Sequence, residues 1–346
     1  MSIVQRSRAA IKRIVFGDSL LPQEFTVGLV EPQTEISVGL HGMGFPLDVT
    51  RRFTTACCAP LMLCVGFDEG EIACEKNDEG ISLKFCEREG RKRLLGEIYL
   101  TPATTIAVGG SKLVLFSVRG SINYCLPRLR LWAHYLLQAY KQWRWLKNPD
   151  VKMSSLEQRA AMVTFIRPHP VVLASINGEA GGNIFPMNLM GELGNGYFGF
   201  ALKDSRMAAH LVERTGRVAL SSVPLAQSSL AYQYAIHHTK PSVDWDQLPF
   251  EVKMSEVFKI PFPDFALRVR EMEVEKVMKI GSHTFFIART VSDKRLSEGL
   301  QVNVIHGFYQ AVRFKDKKAQ LKASISEDSI NKRGPEWIQE KPITHT

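Results

Sequence analysis

Three short stretches carry residue types able to do chemistry. Lys203-Asp204-Ser205-Arg206 sets a lysine, a hydroxyl and an arginine between an expected strand, Tyr197–Leu202, and an expected helix running to Thr215. A helix N-terminus offers free N–H groups and a favourable dipole, so this turn suits a phosphate monoester. An ordinary capped helix with solvated charges is the plainer reading of the same residues. Residues 178–191, GEAGGNIFPMNLMG, form a glycine-rich stretch with Asn183, Pro186, Met187, Asn188, Leu189 and Met190. Glycine lets backbone approach a ligand closely; a long hairpin connection explains the stretch equally well. Gly281-Ser282-His283 is a tight corner that would set the His283 imidazole at a sheet edge.

Other chemistries lack their residues. No paired carboxylate, Ser-His-Asp or Cys-His motif has recognisable context, and no Walker loop is present. The six cysteines, Cys57, Cys58, Cys64, Cys74, Cys86 and Cys125, contain no C-x-x-C pair. They read as small structural thiols in a reducing cytoplasm. Adjacent His237-His238 is declined as a metal site, because consecutive residues rarely converge on one ion.

The elements that must position these residues fall into two series. Residues 24–125 read as β-rich, with short apolar stretches at Phe25–Val30, Glu35–Leu40, Leu61–Phe67, Ile81–Phe85, Gly96–Leu100, Thr104–Val108 and Lys112–Val118. Such spacing predicts a small sandwich or barrel, with no recognisable site. Beyond Pro127, Leu129, Trp132, Leu136, Ala139 or Tyr140, and Trp143 recur at three- and four-residue steps and paint one apolar stripe on a helix ending at Asn148-Pro149. It reads as a connector packed between two domains; a membrane-surface helix is the alternative. Ser154-Ser155-Leu156-Glu157 has capping-box spacing for a helix over 155–164. A second strand series then begins near Pro170. It holds a hairpin turning at Asn177-Gly178, a pair Ala266–Ile280 and Thr284–Ser292, and a last strand near Gly307–Arg313. The expected organisation is a β-rich domain over 1–125, a connecting helix over 126–150, a barrel over 151–315 and a polar tail over 316–346. The fold class is mainly β with α.

Composition narrows the function classes. Of 346 residues, 45% are hydrophobic and 23% charged, enough to bury a core and exclude a disordered chain. Lys+Arg minus Asp+Glu is 44 − 35 = +9, split 19 − 15 = +4 over residues 1–150 and 25 − 20 = +5 beyond. Charge spread so evenly gives no nucleic-acid footprint. Arg6, Arg8, Lys12 and Arg13 are read as a frayed basic terminus, and no apolar run reaches membrane-span length, so a membrane role ranks low.

Residues 163–313 together resemble the flavin reductase-like domain, the FMN-binding split β-barrel family. Asn183-Ile184-Phe185-Pro186-Met187-Asn188 is similar to its Asn-x-x-Pro-x-Ser loop, Gly281-Ser282-His283-Thr284-Phe285-Phe286-Ile287 to its Gly-Asp-His-Thr-Leu-Phe-Ile segment, and Gly307-Phe308-Tyr309 to its closing Gly-x-Tyr. Asn188 stands where the family has Ser, and Ser282 where it has Asp. The resemblance implies a homodimer with FMN, or FAD, near the subunit interface. NAD(P)H would be the co-substrate passing hydride to the flavin, and a monooxygenase a candidate recipient of the reduced flavin. It further implies cofactor contacts from Asn183, Pro186, Met187, Asn188, Leu189, Met190, Lys203, Ser205 and Arg206, with His283 bonding the reduced ring as the catalytic residue. A flavin-binding module without turnover, its first half an interaction or sensor domain, is the alternative.

Overall fold

A computed structural model describes residues 24–68, 80–88, 91–145, 151–178, 181–315 and 323–325. The basic terminus, the Asn148-Pro149 helix end and most of the tail lie outside these residues. After β1 (Glu24–Leu29), the N-terminal half contains β2 (Ile36–His41), β3 (Leu47–Asp48), β4 (Phe53–Cys58), β5 (Leu61–Phe67), β6 (Ile81–Glu87), β7 (Leu94–Val108) and β8 (Ser111–Asn123). Strands β2 to β8 form one antiparallel sheet ordered β3-β2-β6-β7-β8-β5-β4. Two helices follow, α1 (Arg128–Trp145) and α2 (Ser155–Thr164). The expected capping box is present at α2: Ser154 Oγ accepts from the Glu157 N–H and the Glu157 carboxylate from the Ser154 N–H.

The C-terminal half contains β9 (His169–Pro170), β10 (Val172–Gly178), β11 (Gly181–Met187), β12 (Met190–Gly194), β13 (Tyr197–Lys203), α3 (Met207–Thr215) and β14 (Arg217–Ser222). An excursion follows with α4 (Ser228–Gln233), β15 (Val252–Met254) and β16 (Pro261–Pro263). The long strands β17 (Arg268–Ile280) and β18 (His283–Arg295) then lead to β19 (Gln301–His306), α5 (Gly307–Lys315) and β20 (Ala323–Ile325). The second sheet is ordered β11-β10-β14-β17-β18-β13-β12. In each sheet, counting its own strands along the chain, the spatial order is second, first, fifth, sixth, seventh, fourth, third. The two halves therefore share one topology, and the unrecognised half is a second copy of the architecture.

The copies pack through corresponding parts. Each long hairpin, β7–β8 and β17–β18, touches the short hairpin of the other half with its tip. Ser282 N donates to Ala59 O at 2.9 Å and Ser282 Oγ accepts from Ala59 N at 3.2 Å. On the opposite side Asn195 Nδ2 donates to Ser111 Oγ at 2.8 Å. Apolar residues of both halves, including Cys64, Leu113, Leu193, Tyr197 and Phe285, make one buried cluster between them. Backbone runs so close here that a Cβ on Gly66 would sit 1.7 Å from Leu193 O.

The chain ends tie the halves again. β1 pairs with β19 and β20, and β19 with β9, in a four-stranded sheet. Glu35 accepts from Tyr309 Oη (2.8 Å) and Arg313 Nη2 (2.9 Å) of α5. These contacts cross the divisions expected near residues 125 and 150, which stay a proposal about folding units.

Three expectations need correction. Gly307–Arg313 is helix rather than strand, because Phe308, Tyr309 and Val312 are buried at helical spacing. Residues 178–191 are mostly the edge strand β11, leaving Asn188-Leu189 as the connection to β12. And the apolar stripe of α1 is exposed rather than packed between two halves. The helix packs through Leu131 and His134, while Leu129, Trp132, Leu136, Tyr140 and Trp143 face outward.

Candidate functional site

Lys203, Ser205, Arg206 and His283 lie together at the end of β13 and the tip of the β17–β18 hairpin. Lys203, the last residue of β13, lies opposite His283, the first of β18. The intervening turn is held by Asp204, whose N–H donates to Ser282 O (3.2 Å) and whose carboxylate accepts from Thr284 Oγ1 (2.8 Å). Arg206 occupies the N-cap of α3 with extended φ and ψ and no side-chain cap; the first turn carries no acid. The N-terminus of α3 thus lies at the turn that carries Lys203 and Arg206, both of whose charges act on His238, with Ser205 exposed between them.

The wall facing this turn comes partly from the N-terminal half. Cys57 Sγ lies 3.6 Å from Ser282 Oγ and 3.9 Å from His283 Nδ1, and donates to Ile280 O at 2.8 Å. Burial pushes the Cys58 thiol up to about 12, with neighbouring Cys57 adding to the effect and Lys203 opposing it. From the excursion, His238 Nε2 reaches Pro186 O at 2.7 Å, its ring tilted against Phe185. Burial, reinforced by Arg206 and Lys203, lowers His238 to about 4. At neutral pH its imidazole is uncharged, so its ring nitrogen donates to the Pro186 carbonyl. Sequence reasoning noted Cys57-Cys58 and His237-His238 without assigning them here; their one signal was vicinal pairing.

Of the expected cofactor residues, Pro186, Lys203, Ser205 and Arg206 come together around His238 and the α3 N-terminus. Met187 and Met190 point into the core of the second barrel, and Leu189 packs on the cluster between halves. Asn188 is half-buried, and its backbone bonds the His169 ring. Asn183 is fully buried and engaged at both ends. Its Nδ2 donates to His237 O (3.0 Å) and Lys240 O (2.8 Å), and its Oδ1 accepts from Ile184 N (2.7 Å). That side chain secures the excursion to β11.

His283 also differs from the sequence reading. The imidazole, 3% exposed, turns inward between Ser282 Oγ (2.8 Å) and Cys57 instead of projecting from the barrel wall. Burial and then the Lys203 charge lower it to about 4. It is neutral at pH 7 and ties the hairpin tip to the N-terminal half.

Part of this chain is similar in fold to flavin reductase and FMN-binding split-barrel proteins. The NADH:FAD oxidoreductase of Streptomyces globisporus matches at 16% identity over 46% of this chain and 95% of its own, with a TM-score of 0.39. The styrene monooxygenase flavin reductase of Pseudomonas putida matches at 20% identity over 43% and 93%, with a TM-score of 0.35. An FMN-binding protein of Thermus thermophilus matches at 22% identity over 37% and 71%, with a TM-score of 0.34. No family model and no curated protein matches the chain.

The position related to Lys203 by the duplicated topology carries an acid. There the end of β5 brings Asp68, whose carboxylate pairs with Arg52 (3.0 Å) and accepts from Asn195 Nδ2 (2.9 Å). Arg52 precedes β4 as Asn188 and Leu189 precede β12. Asp68 and Arg52 thus form an ion pair here, whereas the counterpart turn carries Lys203 and Arg206 with Asp204 between them.

Proposed function

We propose that the chain binds a flavin nucleotide at the Lys203–Arg206 turn and uses it for NAD(P)H-dependent reduction. The observation carrying this reading is the convergence of Lys203, Ser205, Arg206 and the uncapped N-terminus of α3 beside the junction of the halves. This donor set fits a phosphate monoester: two cationic side chains, a hydroxyl and oriented backbone N–H groups. Asn183 does not fit a ring contact, since its amide is wholly engaged, and it leaves the cofactor-binding set in this reading. Bound flavin would supply the ring that takes up a hydride. The protein's own tasks are then to fix the phosphate and to shield the site with the Cys57–Pro60 turn. It also keeps His238 and His283 neutral, so that they add no positive charge beyond Lys203 and Arg206. In place of the homodimer that the resemblance implies, we infer that one chain supplies both barrels and carries one site, the acidic Asp68 standing where the site has Lys203.

A second reading, flavin binding without turnover, is favoured by the inward turn of His283. Titration of the purified chain with FMN, followed by anaerobic NADH or NADPH, tests both. Binding with bleaching of the visible flavin band supports the reductase. Binding without bleaching supports the module, and no binding overturns the site.

A further inference from the structure

The outward face of α1 points to a membrane surface. The helix lies along the body of the protein, about 27 Å long at 1.5 Å per residue. Leu131, Tyr135 and His134 pack against Phe308 and Met162, with the His134 and Phe308 ring centroids 5.3 Å apart. The opposite stripe is exposed: Leu129 is 86% exposed, Trp132 54%, Leu136 67%, Tyr140 46% and Trp143 81%, with the Arg159 guanidinium 5.0 Å over the Trp132 ring. Two tryptophans, two leucines and a tyrosine on one face exceed the scattered apolar exposure of an ordinary surface. The segment's charge has one sign. Arg128, Arg130, Lys141, Arg144 and Lys147 fall within it, and no Asp or Glu occurs between Glu97 and Asp150. Among the described residues no helix is long and apolar enough to cross a membrane.

We propose that α1 docks this protein on an anionic lipid surface, lying in the interfacial plane with the Leu129–Trp143 stripe among the acyl chains and Arg128 and Arg130 at the headgroups. Charge complementarity chooses this occupant. A helix with abundant Lys and Arg, an aromatic and leucine face, and no acid has the composition of interfacial helices. A protein groove would also cover the apolar stripe, but nothing else on this segment calls for an exclusively anionic counterpart. The proposal is independent of the flavin reading.

Vesicle flotation of the full chain tests it, with phosphatidylcholine alone and with phosphatidylserine added. Anionic vesicles should bind about tenfold more tightly, and binding should weaken with salt. Leu129→Glu/Trp143→Glu should lower affinity by about tenfold or more on both lipids. Both positions are exposed, so the melting temperature should be unchanged. Arg128→Gln/Arg130→Gln, which keeps the apolar face, should lose selectivity for phosphatidylserine. Absence of flotation, or flotation indifferent to all four substitutions, overturns the proposal. So does a concentration-dependent dimer in light scattering that Leu129→Glu/Trp143→Glu dissolves while the wild type ignores vesicles.

Discussion

Replacing Glu35 with alanine should destabilise the protein far more than its position, just ahead of β2, would suggest. The carboxylate takes hydrogen bonds from Arg313 Nη2 and Tyr309 Oη, and Arg313 is 5% exposed. Among the described residues no other carboxylate pairs with Arg313; its Nη1 donates to Gln310 Oε1 and its buried Nε has no partner there. Glu35→Ala therefore leaves a buried guanidinium without its counter-charge, which costs about 3–5 kcal/mol. Two hydrogen bonds involving a charged group, at ~1.5–3 kcal/mol each, give the same range independently. At about 2 °C per kcal/mol for a chain of this size, the melting temperature should fall by ~6–10 °C. The assay is thermal and urea unfolding by circular dichroism, with Arg313→Met and the double variant. If the pair is real, Glu35→Ala should cost much less in the Arg313→Met background, because the stranded charge is gone. A Glu35→Ala cost below ~1 kcal/mol, or one unchanged by Arg313→Met, would refute the reasoning.

Three other outcomes are expected. Lys203→Ala and Arg206→Ala should each weaken FMN by about tenfold to a hundredfold and leave riboflavin, which lacks the phosphate, within severalfold; equal losses in fluorescence titrations would remove the phosphate from this turn. Gly66→Ala places a Cβ 1.7 Å from Leu193 O and should cost at least ~1–3 kcal/mol in urea unfolding, whereas Gly120→Ala, 3.6 Å from the Tyr99 ring, should be mild. His169, His238 and His283 sit at about 4 when folded against 6.5 unfolded, chiefly through burial. The unfolded chain alone takes up these protons first, so stability should be full above about pH 6.5 and fall progressively toward pH 4, by up to ~3 kcal/mol per imidazole. Flat stability over that window, measured by urea unfolding, would contradict their burial.

The sequence spoke most clearly where chemistry and local geometry coincide. The capping box of α2, the strand before Lys203 and the glycine corner before His283 all follow from short-range signals. β4 was missed because Phe53-Thr54-Thr55-Ala56-Cys57-Cys58 shows no alternation, being buried at nearly every position. β7 was read as two strands because Pro102 falls inside it; the structure absorbs that proline at a register shift between Pro102 and Thr104. The duplicated topology was invisible for a deeper reason: strand order in a sheet is a long-range property, which no local pattern records. The site suffered likewise. Cys57, His238 and His283 meet through pairings between distant segments, so the direction of the His283 ring followed from a contact the sequence does not display.

The pairing of β1 with β19 has a consequence for how the chain is made. Val27 lies opposite Asn303, a separation of 303 − 27 = 276 residues. During synthesis β1 leaves the ribosome some 276 residues before its partner strand. Strands β2 to β8 can associate meanwhile, whereas β1 must wait with its backbone donors and acceptors unpaired. Contacts of such separation form slowly, and a waiting strand edge invites pairing with another chain. A nascent chain stalled before residue 301 would thus hold a sticky β1, and a first barrel still lacking Ile305, Tyr309 and Val312 from its core, exposed to chaperones or to neighbours on the same message.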